Sequence, residues 1–305
     1  MIILSNKNII YFLYKVQPGG DIIFNLSIII PHYNRPNMLY KLLESIPKLD
    51  DIQVIVIDDN SDKYVNEYEK VKLFYKKYNI LFSHNNQKNK GAGACRNIGI
   101  NLSKGKYILF ADSDDYFSED FYDIVKQYFR FHYDIVFFSP RSIDLTRYGE
   151  SNRHKKYKKL VENFSKVKNF KNEKLLRYTY YVPWSKLYLS KFLKRNNIKF
   201  QETIVSNDVL FSTVSGYRAT KIEVDKRTIY IVTETENSLI TIKDIEKQNI
   251  RYNVFVQYVK FLDQNNINLS LFNNFIIKFK FLIRILLATH NINYVYYYYR
   301  QLNKK

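Results

Sequence analysis

Five short segments in the first 140 residues are dominated by apolar side chains: LSIII (26–30), IQVIVI (52–57), NILFSH (79–84), YILFA (107–111) and DIVFFS (134–139). A strand with one wet face alternates apolar and polar residues, whereas a nearly continuous apolar run must be covered on both faces. Between these runs lie stretches with helical spacing: NMLYKLLESI (37–46), residues 62–78, GAGACRNIGINLS (91–103) and residues 118–130. The alternation predicts an α/β fold, a mostly parallel sheet with helices on both faces. Ligands of such sheets lie beyond the carboxyl ends of the strands. The polar clusters that follow the first, second and fourth strands are therefore expected to converge on one crevice.

Beyond residue 140 the pattern weakens. Residues 141–172 are polar and basic and read as a mobile loop or insertion. Shorter helices are expected from 173, among them PWSKLYLSKFLKRNN (183–197), followed by NDVLFSTVSGY (207–217); KIEVDKRTIYIVT (221–233) alternates as strands do, and 243–305 reads as a helical tail. Within that tail LFNNFIIKFKFLIRILLATH (271–290) mixes aromatic, aliphatic and basic residues, and Lys278, Lys280 and Arg284 interrupt it too often for a spanning helix. An interfacial helix on an anionic membrane surface and a helix packed on the domain both fit this composition.

The net charge of +19 permits attraction to nucleic acid, an anionic membrane or an anionic substrate. The lysines are spread along the chain, no zinc-finger or RNP-type motif accompanies them, and a nucleic-acid partner is not expected. The opening MIILSNKNIIYFLYKV has no basic n-region, so no secretory signal is expected, and Cys95 as the single cysteine fits a reducing compartment. A cytoplasmic location follows, with peripheral attachment to the cytosolic face of the inner membrane as its variant.

The segment YILFADSDDYF raises the chemical question. Asp112, Asp114 and Asp115 crowd three carboxylates into four residues at the end of a strand, and a divalent cation is one way to make such crowding favourable. A solvated turn before a helix, with Ser118 as its cap, is the plain alternative. GAGACRNIG is not a dinucleotide fingerprint, because its last glycine falls at 99 and Arg96 occupies the required slot. Cys95 has no basic partner fixed beside it and reads as a small buried residue.

Taken together, SIIIPHYNR, VIDDNSD, GAGACRNIG, KGKYILFADSDDYF, PWSKLYLSKFLKRNNIKF and NDVLFS occur in the order seen in family 2 glycosyltransferases, and residues 25–240 resemble the capsule, lipopolysaccharide and lipooligosaccharide enzymes of that family. The resemblance implies a GT-A fold, with a nucleotide-sugar-binding half (25–140), an acceptor and catalytic-base half (173–240), the tail, and an N-terminal extension (1–24). It implies inverting transfer from a nucleotide sugar, expected to be UDP-linked, to a glycan or lipid-linked glycan. It assigns Asp208 as general base, and Asp114 with Asp112 as ligands of Mn²⁺ or Mg²⁺. Pro31, Tyr33, Asn34, Asp58, Asp59, Arg96, Asp112 and Ser113 are expected to bind the donor, and Trp184 and Lys186 the acceptor. Trp184 packing between the halves stands as an alternative, as does a non-catalytic nucleotide-sugar-binding scaffold for the whole chain.

Overall fold

A computed structural model describes residues 24–86, 91–147, 149–234, 245–269, 281–283, 285–286 and 292–303. In it β1 (Leu26–His32), β2 (Ile52–Asp58), β3 (Ile80–His84) and β4 (Tyr107–Phe110) lie parallel in the order β4-β1-β2-β3. Their side chains alternate between two cores, as the period of two demands. Leu26, Ile28, Ile30, Val54 and Val56 pack under α1 (Pro36–Glu44) and α2 (Val65–Phe74), while Ile29, Ile55 and Ile57 pack under α3 (Ala92–Leu102).

The register levels the carboxyl ends. His32 pairs with Asp58, and Asp58 with His84. The Ala111 N–H donates to the Ile29 carbonyl at 3.1 Å, so the acidic turn leaves the sheet beside the end of β1. Because the chain passes from β3 at one edge to β4 on the far side of β1, the β1–β4 gap is the switch point where open α/β sheets receive ligands.

Next come β5 (Tyr116–Phe117), α4 (Phe121–Val125) running into a 3₁₀ turn at Lys126–Tyr128, and β6 (Ile135–Phe138). Residues 141–172 are not a loop. They form β7 (Arg141–Asp144), β8 (Gly149–Glu150), α5 (Lys155–Lys166) and the start of α6 (Phe170–Thr179). In α5 the apolar positions Tyr157, Leu160, Val161 and Phe164 follow helical spacing and face the core, and exposed lysines between them hide the pattern.

The segment 183–197 is also corrected. Its first half is β9 (Lys186–Leu189), antiparallel between β4 and β6, and only then does α7 (Ser190–Arg195) begin. Short apolar runs suit strand and helix equally, and here two neighbouring strands claim the backbone. The remaining elements are α8 (Asp208–Arg218), β10 (Ile222–Asp225), β11 (Tyr230–Glu234), α9 (Ile245–Gln264) and α10 (Ile292–Asn303). The main sheet runs β10-β6-β9-β4-β1-β2-β3, and a small sheet runs β5-β11-β7-β8.

In the tail, Tyr258, Val259 and Leu262 of α9 and Tyr298 and Leu302 of α10 share a core with Tyr178, and Tyr258 donates to the Tyr178 carbonyl at 3.1 Å. Packing on the domain is thus what these residues do, although most of 271–290 lies outside the described residues. No helix among the described residues is long and apolar enough to cross a membrane.

Gly93 sets how closely α3 approaches the segment before α8. A Cβ there would lie 2.0 Å from the Gln201 carbonyl oxygen and 2.8 Å from the Asn207 Cβ. Gly93→Ala is expected to cost about 1–3 kcal/mol in chemical denaturation. Gly149→Ala, whose nearest neighbour is 3.9 Å away, is expected to stay within about 0.5 kcal/mol.

Candidate active site

Three loops meet at the switch point. The loop after β1 is shaped by Asn34, which adopts the left-handed region at φ 53° and spends its amide on the neighbouring loop. Its Nδ2 donates to Asp62 at 2.7 Å, and its Oδ1 accepts from the N–H groups of Asp62 and Lys63 at 3.0 and 2.9 Å. The Arg35 N–H donates to His32 Nε2 at 3.3 Å, so Nδ1 is the protonated nitrogen and donates to Asp58 at 2.8 Å. Burial pushes the Asp58 carboxyl up, but hydrogen bonds from His32 and from Ser61 outweigh it and hold the group below its ordinary value.

Asp59 is buried, accepting from Asn85 Nδ2 at 3.0 Å and from the Gly91 N–H at 2.9 Å. Its carboxylate thereby fixes the start of α3, where Gly91 sits at φ 83°. Both aspartates, expected to bind the donor, also hold the loops that wall the crevice in place. Pro31 is buried within β1, while Tyr33 lies at the rim, 40% exposed.

The acidic turn after β4 divides its three carboxylates. Asp115 is buried and structural, accepting from Tyr230 Oη at 2.9 Å and the Thr233 N–H at 2.7 Å. Tyr230 in turn accepts the Asp112 N–H at 2.7 Å, and Thr233 Oγ1 donates to the Asp114 carbonyl at 2.6 Å. The turn is thus clamped by β11, and Ser113 is buried within it. Asp112 and Asp114 are left facing the crevice. Burial, then repulsion from Asp112, raises the Asp114 carboxyl above its ordinary value. Such a pair fits a hard divalent cation that takes one or two protein carboxylates and completes its shell with water and substrate phosphate. Among the described residues no group of three or more His, Cys, Asp or Glu side chains is arranged to hold a metal.

Arg96 ties the turn to the other half. Buried on α3, it donates through Nη1 to Asn207 Oδ1 at 2.8 Å and pairs through Nη2 with Asp112, with its guanidinium over the Phe200 ring. Asn207 is the residue that precedes α8, and Asp208 is the first residue of that helix. Among the described residues no cation lies within ion-pair distance of Asp208. Burial lifts its carboxyl above the ordinary value, against the pull of Arg96. A carboxylate of raised basicity with no cation bound to it is what a general base requires.

Two expected acceptor residues are corrected. Trp184 is buried, stacked on Tyr230 with ring centroids 5.9 Å apart, and so braces the clamp on the acidic turn. Lys186 is 1% exposed and donates to the Tyr180 carbonyl at 2.5 Å. Neither presents a surface to a sugar. Cys95 is also buried, and burial pushes its thiol up, which leaves it unreactive. Sequence reasoning missed Arg35, Asn207, Tyr230 and Thr233; the first two lie inside quoted motifs, and the last two carry no local signal.

The sheet order, the switch-point crevice and the strand-end carboxylates define a GT-A fold. The glycosyl transferase family 2 model matches residues 27–195, and the chain belongs to that family. The poly(ribitol-phosphate) β-N-acetylglucosaminyltransferase TarS of Staphylococcus aureus strain Mu50 is 27% identical over 218 residues, 69% of this chain but 36% of TarS. The chain therefore spans about a third of the length of that relative. Among solved structures, residues 1–349 of S. aureus TarS with UDP-GlcNAc superpose with a TM-score of 0.62 at 23% identity, covering 77% of this chain and 66% of that one. A Pyrobaculum calidifontis mannosyltransferase with GDP-Man and Mn²⁺ gives 0.54 at 13% identity, covering 83% and 68%. At these identities the superpositions establish the fold.

The raised Asp208 carboxyl has a measurable consequence. The folded state binds its proton more tightly than the unfolded chain, so this group opposes folding at neutral pH, and the opposition fades as pH falls from the raised value to the ordinary one. Asp208→Asn is therefore expected to melt at a higher temperature than the parent at neutral pH, with the gap closing toward the ordinary carboxylate range. Thermal melts of both proteins from acidic to neutral pH test this; equal melting temperatures throughout contradict it.

Proposed function

We propose that the protein transfers a sugar, with inversion at C1, from a nucleotide-sugar donor to a hydroxyl of a glycan or lipid-linked glycan in surface-polysaccharide assembly. A single observation carries the reading: Arg96 joins Asp112 at the switch point to the residue preceding Asp208, so donor-side and acceptor-side groups address one crevice. UDP-linked donors are favoured by the UDP-GlcNAc bound to the superposed TarS structure, and a hydroxyl-rich polymer acceptor by the name of that relative.

In the reaction, Asp208 takes the proton of the acceptor hydroxyl as its oxygen bonds to C1. The bond from C1 to the β-phosphate oxygen breaks on the opposite face, and its electron pair leaves with the nucleoside diphosphate. One displacement inverts the anomeric centre. Asp112 and Asp114 would hold Mn²⁺ or Mg²⁺, which when bound offsets the charge that gathers on the diphosphate. Arg96 keeps Asp112 and the Asp208 helix in fixed relation, so the base need not reorganise as the proton moves. Exposed Tyr296, Tyr297 and Tyr299 on α10 support a peripheral place at a membrane surface, where a lipid-linked acceptor would lie.

The test is hydrolysis and transfer across a panel of nucleotide sugars. One donor is expected to be turned over, with activity lost to chelator and to Asp114→Ala. Asp208→Asn is expected to lower kcat by about 10²–10⁴-fold while donor binding persists. Turnover indifferent to chelator and to Asp114→Ala removes the metal from the mechanism. Donor binding without turnover in the parent, unchanged by Asp208→Asn, points to a binding scaffold.

A further inference from the structure

Both carboxylates facing the crevice are already paired with guanidinium groups, and the two pairs differ in kind. Arg96 is 4% exposed and anchored by Asn207 and Phe200, so its hold on Asp112 is fixed. Arg35 meets Asp114 Oδ2 through Nη1 at 2.5 Å, with the two side chains 42% and 38% exposed. Its backbone is held at the entrance to α1 by the N–H donated to His32. Its guanidinium, however, has no second hydrogen-bond partner among the described residues. Arg153, whose charge also acts on Asp114, is anchored elsewhere, its Nη1 donating to the Thr233 carbonyl at 2.9 Å.

A hard divalent cation and a guanidinium cannot share one carboxylate oxygen without repelling each other, so a cation that takes Asp114 through Oδ2 displaces Arg35. The anchored Arg96 sits on Oδ1 of Asp112 and leaves the second oxygen of that carboxylate for the metal. Releasing an exposed ion pair costs little. The freed guanidinium stays at the β1–β4 gap, where a diphosphate has to lie, and its planar fork of donors matches phosphate oxygens.

We propose that Arg35 is a donor-binding residue kept on Asp114 until a divalent cation takes that carboxylate, after which it moves to the diphosphate of the nucleotide sugar. The inference rests on the reading that Asp112 and Asp114 hold the metal. In the donor-free protein Arg35 neutralises Asp114 and keeps the turn in shape; in the loaded protein it supplies a second cation to the leaving group. Metal and Arg35 thus compete at Asp114 and cooperate at the diphosphate.

Opposite signs in two binding measurements follow, and loss of fold produces no such pair. Mn²⁺ alone would be titrated by electron paramagnetic resonance, and pyrophosphate at saturating Mn²⁺ by calorimetry, on the parent, Arg35→Met, Arg35→Lys and Asp114→Asn. Arg35→Met is expected to bind Mn²⁺ about two- to five-fold more tightly, because no cation has to be displaced. The same variant is expected to bind pyrophosphate about tenfold or more weakly, having lost charge-assisted hydrogen bonds. Arg35→Lys should restore parental Mn²⁺ affinity and recover part of the pyrophosphate affinity. If Asp114→Asn abolishes Mn²⁺ binding but Arg35→Met leaves it unchanged or weaker, or leaves pyrophosphate affinity unchanged, the role of Arg35 is overturned while the metal reading stands. Parental protein that binds no Mn²⁺, or binds it equally after Asp114→Asn, overturns the metal reading and this inference with it.

Discussion

Arg96 carries a positive charge where water scarcely reaches, and three separate parts of the chain are arranged around it. The acidic turn after β4 supplies Asp112, the segment before α8 supplies Asn207, and Phe200 lies under the guanidinium plane. Removing one partner from a buried charge typically costs about 3–5 kcal/mol, because the other is left stranded. Arg96 can hold this position because α3 packs tightly on both sides. Gly99 allows contact with Ile29 of β1, and Gly93 allows contact with the Gln201 carbonyl. The glycines of GAGACRNIG therefore let a helix approach closely enough to present one arginine, a different use from cradling a phosphate.

The acidic turn shows how three similar side chains acquire different tasks from their surroundings. Asp115 is turned inward by Tyr230 and the Thr233 N–H, and that commitment exposes Asp112 and Asp114 on the other side. Trp184 stacked on Tyr230 stiffens the arrangement from beneath. The opening puzzle of crowded carboxylates thus has two answers. One is buried and hydrogen-bonded as part of the fold, and two are held close together, each against an arginine.

The parallel sheet was legible because residues such as Ile28, Ile29 and Ile30 are apolar on both faces. The positions of Asp112, Asp114, Arg96 and Asp208 were legible because they sit in motifs at strand ends and helix starts. What escaped detection depends on partners far away in sequence. Lys186 looks like a surface lysine until β4 and β6 close over its strand. Trp184 looks like a sugar platform until Tyr230, far along the chain, stacks on it. The importance of Arg35 lies in Asp114, 79 residues on, and no window of local sequence contains both. α5 was missed for a different reason: its apolar stripe was present, but lysines at the intervening positions dominated the composition.

β9 lies antiparallel between β4 and β6, with hydrogen bonds to both. One continuous sheet therefore carries β1–β4 and β6 together with β9 and β10 from beyond residue 180. Hinged enzymes open by rotating two bodies about a linker. Here such a rotation would have to unzip a ladder in the middle of the sheet. The floor of the crevice is therefore a single hydrogen-bonded body, and any adjustment to a ligand falls to the side chains and loops at its rim.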